Sequence, residues 1–153
     1  MTNEIEKIEK LIYTARAHTT GGRDGGTSRT DDGRLEINFS SPGQGTGTNP
    51  EQLFAAGWSA CFLSAMKLIA RKERIPLPDN VSIDAEVDLG QTNDGHYSMS
   101  ARLTVSLPGV APIVAQDLVE RAHELCPYSR ATHGNVNVVI TVTDTAAVST
   151  TTA

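Results

Sequence analysis

The sequence predicts an α+β domain in which two helices pack against antiparallel sheets. Three observations carry that prediction. Residues 81–107 hold two runs of alternating apolar and polar side chains, Asn49-Pro50 opens a long helical stretch, and a second helical stretch separates the alternating runs from one last strand pattern. A length of 153 residues with 39% apolar and 20% charged composition fits one globular domain, or half of an intertwined dimer. One domain over residues 1–153 is expected, with residues 1–10 and 144–153 as peripheral or poorly ordered tails.

Ile5, Ile8 and Ile12 recur at helical spacing, but the stretch is short and charged, so it reads as a frayed turn leading into a strand over residues 11–19. In the run Gly21-Gly22-Arg23-Asp24-Gly25-Gly26 the glycines readily supply the positive φ angles of a turn. Residues 34–39 alternate enough to form a strand, and a hairpin joining these two strands is the simplest account. Residues 40–48, rich in Ser, Pro, Gly and Thr, read as a loop. Asn49 then acts as a helix cap, with Pro50 at the first helical position and Gln52 three after the cap. That helix runs to about residue 74, where Lys67, Arg71, Lys72 and Arg74 suit the negative end of its dipole and Pro76 forbids continuation. One face carries Leu53, Gly57, Ala60, Cys61, Ser64, Ala65 and Leu68, and so many small residues imply another backbone packed close against a central helix.

Val81, Ile83, Ala85, Val87 and Leu89 alternate with polar neighbours, as do Tyr97, Met99, Ala101, Leu103, Val105 and Leu107. The turn Asn93-Asp94-Gly95 joins the two runs, and their half-polar faces point to an antiparallel sheet with one side in water. A second helix over residues 112–126 buries Val119, Ala122 and Cys126 together, and Pro127 ends it. Residues 136–143 supply the last strand, and the Thr/Ala/Ser/Val tail beyond it is expected to be disordered.

The net charge of −5, with 13 scattered Lys and Arg, argues against a nucleic-acid partner, which needs a clustered basic surface. No run of 18 apolar residues occurs and the first residues lack the pattern of a signal peptide, so a cytoplasmic protein without a membrane partner is expected. Two cysteines are too few for a disulfide scaffold, which leaves chemistry or plain burial for both.

Cys61 falls in the middle of the long helix beside Trp58, Phe62 and Met66, where desolvation alone raises a thiol pKa. A thiolate there needs a cation. Arg23 is the best candidate, and Glu51 can hold its guanidinium by a bidentate contact. Each residue also has an ordinary reading: Glu51 as a dipole complement, Arg23 as a solvated turn residue and Cys61 as core. Cys126, at a helix C-terminus, suits a resolving thiol better than an attacking one, and two thiols are the minimum for a peroxide cycle through a sulfenic acid. A metal site from His123, Cys126 and Cys61 lacks recognisable ligand spacing. Ser59 and Ser64 sit in no Gly-x-Ser-x-Gly elbow, and the early glycine run lacks the Gly-Lys-Ser/Thr ending of a phosphate loop.

The strings Thr20-Gly21-Gly22-Arg23-Asp24-Gly25, Gly47-Thr48-Asn49-Pro50-Glu51-Gln52-Leu53-Phe54-Ala55-Ala56-Gly57, Ser59-Ala60-Cys61-Phe62 and Cys126-Pro127-Tyr128-Ser129 resemble the organic hydroperoxide resistance branch of the OsmC/Ohr family. The resemblance spans about residues 12–143. It implies an OsmC-like fold assembled as an intertwined homodimer, with antiparallel sheets around two central helices per subunit. It also implies that Cys61 is the peroxidatic cysteine and Cys126 the resolving one, with Arg23 and Glu51 activating the thiolate and orienting the peroxide. By the same resemblance, alkyl or fatty-acid hydroperoxides are the substrates, and an intramolecular disulfide is recycled by dihydrolipoyl groups of a lipoylated protein, without a bound cofactor or metal. Trp58, Phe62 and Met66 are expected to line an apolar substrate pocket. A thiol-based redox sensor or binding module of the OsmC type, without efficient turnover, is the alternative.

Overall fold

The computed structural model describes residues 4–147 and divides them into two compact units, which meet in sequence at Asn49 and Pro50. The C-terminal tail expected to be disordered lies mostly outside the described residues.

The N-terminal unit is a three-stranded antiparallel sheet of β1 (Ala17–Thr20), β2 (Thr27–Thr30) and β3 (Glu36–Asn38) in the order β1-β2-β3. This corrects the expected hairpin of residues 11–19 with 34–39. The glycine run turns β1 into β2, with Gly21, Gly22 and Gly25 all at positive φ, and the Gly26 N–H closes it on the Gly22 carbonyl at 3.1 Å. A second turn follows, in which Asp32 accepts from the Thr30 hydroxyl at 2.7 Å and the Arg34 N–H at 3.0 Å. β2 reads Thr-Ser-Arg-Thr and buries only Ser28, so it offers no apolar alternation to detect. Residues 11–16 form no strand, and Leu11, Ile12 and Tyr13 stand exposed.

The C-terminal unit begins with α1 (Pro50–Lys72), close to the expected span. Its end is a Schellman turn: Arg74 takes φ 57°, Arg74 N–H bonds the Arg71 carbonyl at 3.3 Å, and Ile75 N–H bonds the Ala70 carbonyl at 2.8 Å. β4 (Ser82–Gln91) and β5 (Tyr97–Ser106) form the expected antiparallel hairpin, in a register that pairs Leu89 with Met99 and Ile83 with Val105. α2 (Pro112–Leu125) follows, burying Ala115, Leu118, Val119 and Ala122 at helical spacing. Pro127 ends α2 as expected, but it also begins a third helix that the periodicity did not announce, α3 (Pro127–Thr132).

β6 (Asn137–Thr143) lies parallel to β5, so the sheet β4-β5-β6 is mixed, which corrects the antiparallel expectation. A parallel neighbour needs a long crossover, and α2 with α3 provides it. The inner face of the sheet supplies Ala101, Leu103 and Val105 to a core shared with Trp58, Phe62 and Met66 of α1 and Leu118 and Val119 of α2. By length and composition α1 matches a membrane-crossing helix, yet Trp58, Phe62 and Met66 are wholly enclosed by this core, the packing of a central helix in a folded domain. On the opposite face Arg102 bonds Asp88 at 2.7 and 2.8 Å and Glu86 at 2.8 Å, which holds the Asp88 carboxyl below the ordinary carboxylate range.

Leu103 is fully buried at the centre of β5. Leu103→Ala is expected to cost roughly 2–5 kcal/mol of stability, read as a lower urea midpoint with an unchanged slope.

Candidate active site

Gly57 and Trp58 lie three and four residues after Phe54, and Cys61 four and three after them, so the four share a side of α1. Trp58 turns fully into the core, whereas Cys61 stays half-buried. Cys126 is wholly buried at the junction where α2 ends and α3 begins. Both are free thiols, and they lie close enough for Cys126 to perturb the Cys61 thiol.

α3 is seated on this side of α1 by three contacts. The Trp58 indole Nε1–H donates to Ser129 Oγ at 3.0 Å, with both residues buried. Phe54 meets the Tyr128 ring edge-on at 5.7 Å and 86°, and meets Trp58 at 5.6 Å and 83°. Gly57 makes room for Tyr128, since a Cβ there would lie 2.6 Å from the phenol oxygen and 3.0 Å from Cζ. This seating brings the Tyr128 main-chain N–H onto the Cys61 sulfur.

The electrostatics of the sulfur are opposed. Burial pushes the Cys61 thiol up, the Tyr128 N–H pulls it down by bonding the charged form, and the hydrogen bond and charge of Cys126 push it up again, for a net rise. Left to this neighbourhood alone, Cys61 favours the neutral thiol at pH 7.

The family model for OsmC-like proteins matches residues 43–141. The chain belongs to the OsmC/Ohr family. An organic hydroperoxide resistance protein of Xanthomonas axonopodis pv. citri is 45% identical over 139 residues, 88% of this chain and 96% of that protein. The crystal structure of an organic hydroperoxide resistance protein from Legionella pneumophila is similar at a TM-score of 0.82 and 41% identity, covering 88% of this chain and 99% of that one. That of the organic hydroperoxide resistance protein OhrB of Bacillus subtilis is similar at 0.80 and 39% identity, over 86% and 98%.

Within this OsmC/Ohr frame the residues singled out in the sequence fall in different places. Cys61 and Cys126 come together. Glu51 lies half-buried in the first turn of α1, and Arg23 lies exposed on the β1–β2 turn of the N-terminal unit. Trp58, Phe62 and Met66 are completely enclosed in the core, so they present no wall to an incoming molecule, contrary to the pocket expected of them. An open depression of about 230 Å³ is instead lined by Leu89, Tyr97, Ser98, Met99, Asn135 and Val136, none of them a predicted site residue. Gly57 belongs to the face of small residues that implied a close approach, and Tyr128 makes that approach, whereas nothing in the sequence pattern marked Ser129 as the acceptor of Trp58. A glycine inside a helix is a usable sign of close approach, and Pro127 is a usable sign of a new helix start.

His123, on α2, packs its ring at 6.3 Å from that of Phe62, and its Nδ1 is buried without a hydrogen-bond partner. Burial pushes its pKa below the ordinary 6.5, and the charge of His133 adds to that. A depressed histidine stays neutral when folded while the unfolded chain takes up a proton, so its contribution is present above about pH 6.5 and is lost as pH falls toward the folded value. Urea midpoints at about pH 7 and pH 5 are expected to differ more in the wild type than in His123→Phe.

Proposed function

We propose that this protein is a thiol-dependent peroxidase that reduces organic hydroperoxides to alcohols, with Cys61 attacking and Cys126 resolving. The observation that carries the reading is the meeting of two free thiols, one half-buried and one enclosed, in a chain 45% identical to an organic hydroperoxide resistance protein. The Cys61 thiolate attacks one peroxide oxygen, the O–O bond breaks, and the alkoxide leaves and takes up a proton to become the alcohol. Cys61 is then a sulfenic acid. The Cys126 thiol displaces its hydroxyl as water to give a disulfide, and two electrons from an external dithiol restore both thiols. A dihydrolipoyl group on a lipoylated protein is the reductant in this reading, no bound cofactor takes part, and the setting is the cytoplasm.

Burial opposes the thiolate, so the cycle needs a cation, and Arg23 supplies it with Glu51 holding the guanidinium fork. Alkyl and fatty-acid hydroperoxides are the substrates, because each CH₂ taken out of water favours binding by about 0.8 kcal/mol.

The working unit is a homodimer. Ala56, Ala60, Ser64 and Leu68 form an exposed row of small and apolar residues at intervals of four along α1, which fits the close approach of a second copy. Ile5, Ile8, Leu11, Ile12 and Tyr13 are also exposed, at 68–91%, and a second copy gives them apolar cover.

Cys61→Ser is expected to abolish consumption of cumene hydroperoxide, whereas Cys126→Ser undergoes one oxidation without a sustained cycle on dihydrolipoamide; retained turnover in Cys61→Ser would sink the mechanism. Arg23→Ala should slow peroxide attack by roughly tenfold or more and raise the pH midpoint of thiol alkylation. Titration of free thiols after one equivalent of hydroperoxide separates the alternatives: a sensor oxidises slowly, an enzyme at once and repeatedly. Sedimentation should give a dimer, and Ala60→Glu should yield monomers; a monomeric wild type contradicts the assembly.

A further inference from the structure

Three contacts converge on one segment beside the reactive thiol without involving either sulfur. Trp58 and Ser129 share a hydrogen bond of 3.0 Å, with Trp58 0% and Ser129 1% exposed. Gly57, one residue earlier, leaves only enough space for the Tyr128 ring, and Phe54 closes on that ring edge-on at 5.7 Å. The two anchored side chains follow directly on the Tyr128 main-chain N–H, which bonds Cys61.

We propose that the Trp58–Ser129 hydrogen bond and the Gly57 notch form a latch that holds the Tyr128 main-chain N–H on Cys61, which makes Trp58, Ser129 and Gly57 positioning residues of the reacting thiol. The proposal rests on Cys61 being that thiol. A main-chain N–H bonds a thiolate more strongly than a thiol, so its placement to within a few tenths of an ångström governs the thiolate fraction. Ser129 cannot move away without leaving the indole N–H buried and unpaired, a state that costs more than the hydrogen bond itself contributes. Tyr128 cannot shift toward α1, because Gly57 is already in contact with its ring. α3 is thereby held by two consecutive side chains immediately after the one N–H that matters.

Other titratable groups near this stretch act independently of the latch. Cys126 faces Cys61 directly, the Tyr128 phenol lies over Gly57, and His123 of α2 packs on Phe62. On β4, Asp84, Glu86 and Asp88 alternate onto the sheet face opposite the core, away from α1.

The test is the pH dependence of Cys61 alkylation by iodoacetamide in a Cys126→Ser background, which needs no peroxide turnover. Ser129→Ala and Trp58→Phe each remove one side of the latch and are expected to raise the alkylation midpoint by about one pH unit, a loss of about tenfold in thiolate at a fixed pH below it. Because both remove the same hydrogen bond, the double variant is expected to shift no further than either single one. Gly57→Ala improves helix propensity and keeps the fold, and its methyl displaces Tyr128, so it should move the midpoint in the same direction should the buried variants not fold. An unmoved midpoint in the folded variants, or fully additive shifts from Ser129→Ala and Trp58→Phe, overturns the proposal. A moved midpoint in a protein that fails to reduce hydroperoxides upholds the latch and rejects the peroxidase reading instead.

Discussion

An indole N–H taken out of water must find an acceptor, and around Trp58 that requirement organises the surroundings of the Cys61 sulfur. The indole fills the core between α1, α2 and the sheet, where no water competes for it. Its acceptor is a serine hydroxyl on a helix of only six residues, Pro127–Thr132, too short to be stable alone in water. The short helix is held by tertiary contacts, and those contacts decide where Tyr128 and Cys126 lie. Packing and polar satisfaction therefore come first here, and the environment of Cys61 follows from them.

The topology explains how two cysteines so distant in sequence come to touch. A parallel β6 beside β5 obliges the chain to cross the sheet after Ser106 and return before Asn137. The crossover packs α2 against α1 on the covered face, and the end of α2 delivers Cys126 to the middle of α1. An antiparallel last strand would need no such crossing. The departure from the expected sheet is thus the feature that builds the thiol pair.

Much of this was legible because apolar periodicity was strong where burial is one-sided. The span of α1, the β4–β5 hairpin and the buried face of α2 follow from residues such as Val119, Ala122, Leu103 and Val105, whose spacing matches the face they bury. β2 was not legible, since Thr27–Thr30 is a polar strand held by main-chain pairing that leaves no mark on the side-chain pattern. The direction of β6 was hidden as well, because half-buried alternation is the same in parallel and antiparallel edges. Among site residues, Cys61 and Cys126 stood out by type and rarity. Gly57 stood out only as one of a row of small residues, and Ser129 not at all, for its importance lies in the indole that packs against it. Trp58, Phe62 and Met66 were read as lining a pocket on apolar character alone, a character that enclosure in the core explains equally well.

The backbone at Cys126 is committed on both sides. Its N–H closes the last turn of α2 on the Ala122 carbonyl at 2.8 Å, while its carbonyl accepts from Arg130 N–H of α3 at 2.9 Å. The neighbouring Pro127 ring further limits the torsions open to this junction. Main-chain travel there would unwind one helix or the other, so the sulfur moves chiefly by rotation about its own side-chain bond. A thiol tethered so firmly presents itself to its partner at a very high effective concentration, and the entropy of bringing the two together is already spent during folding.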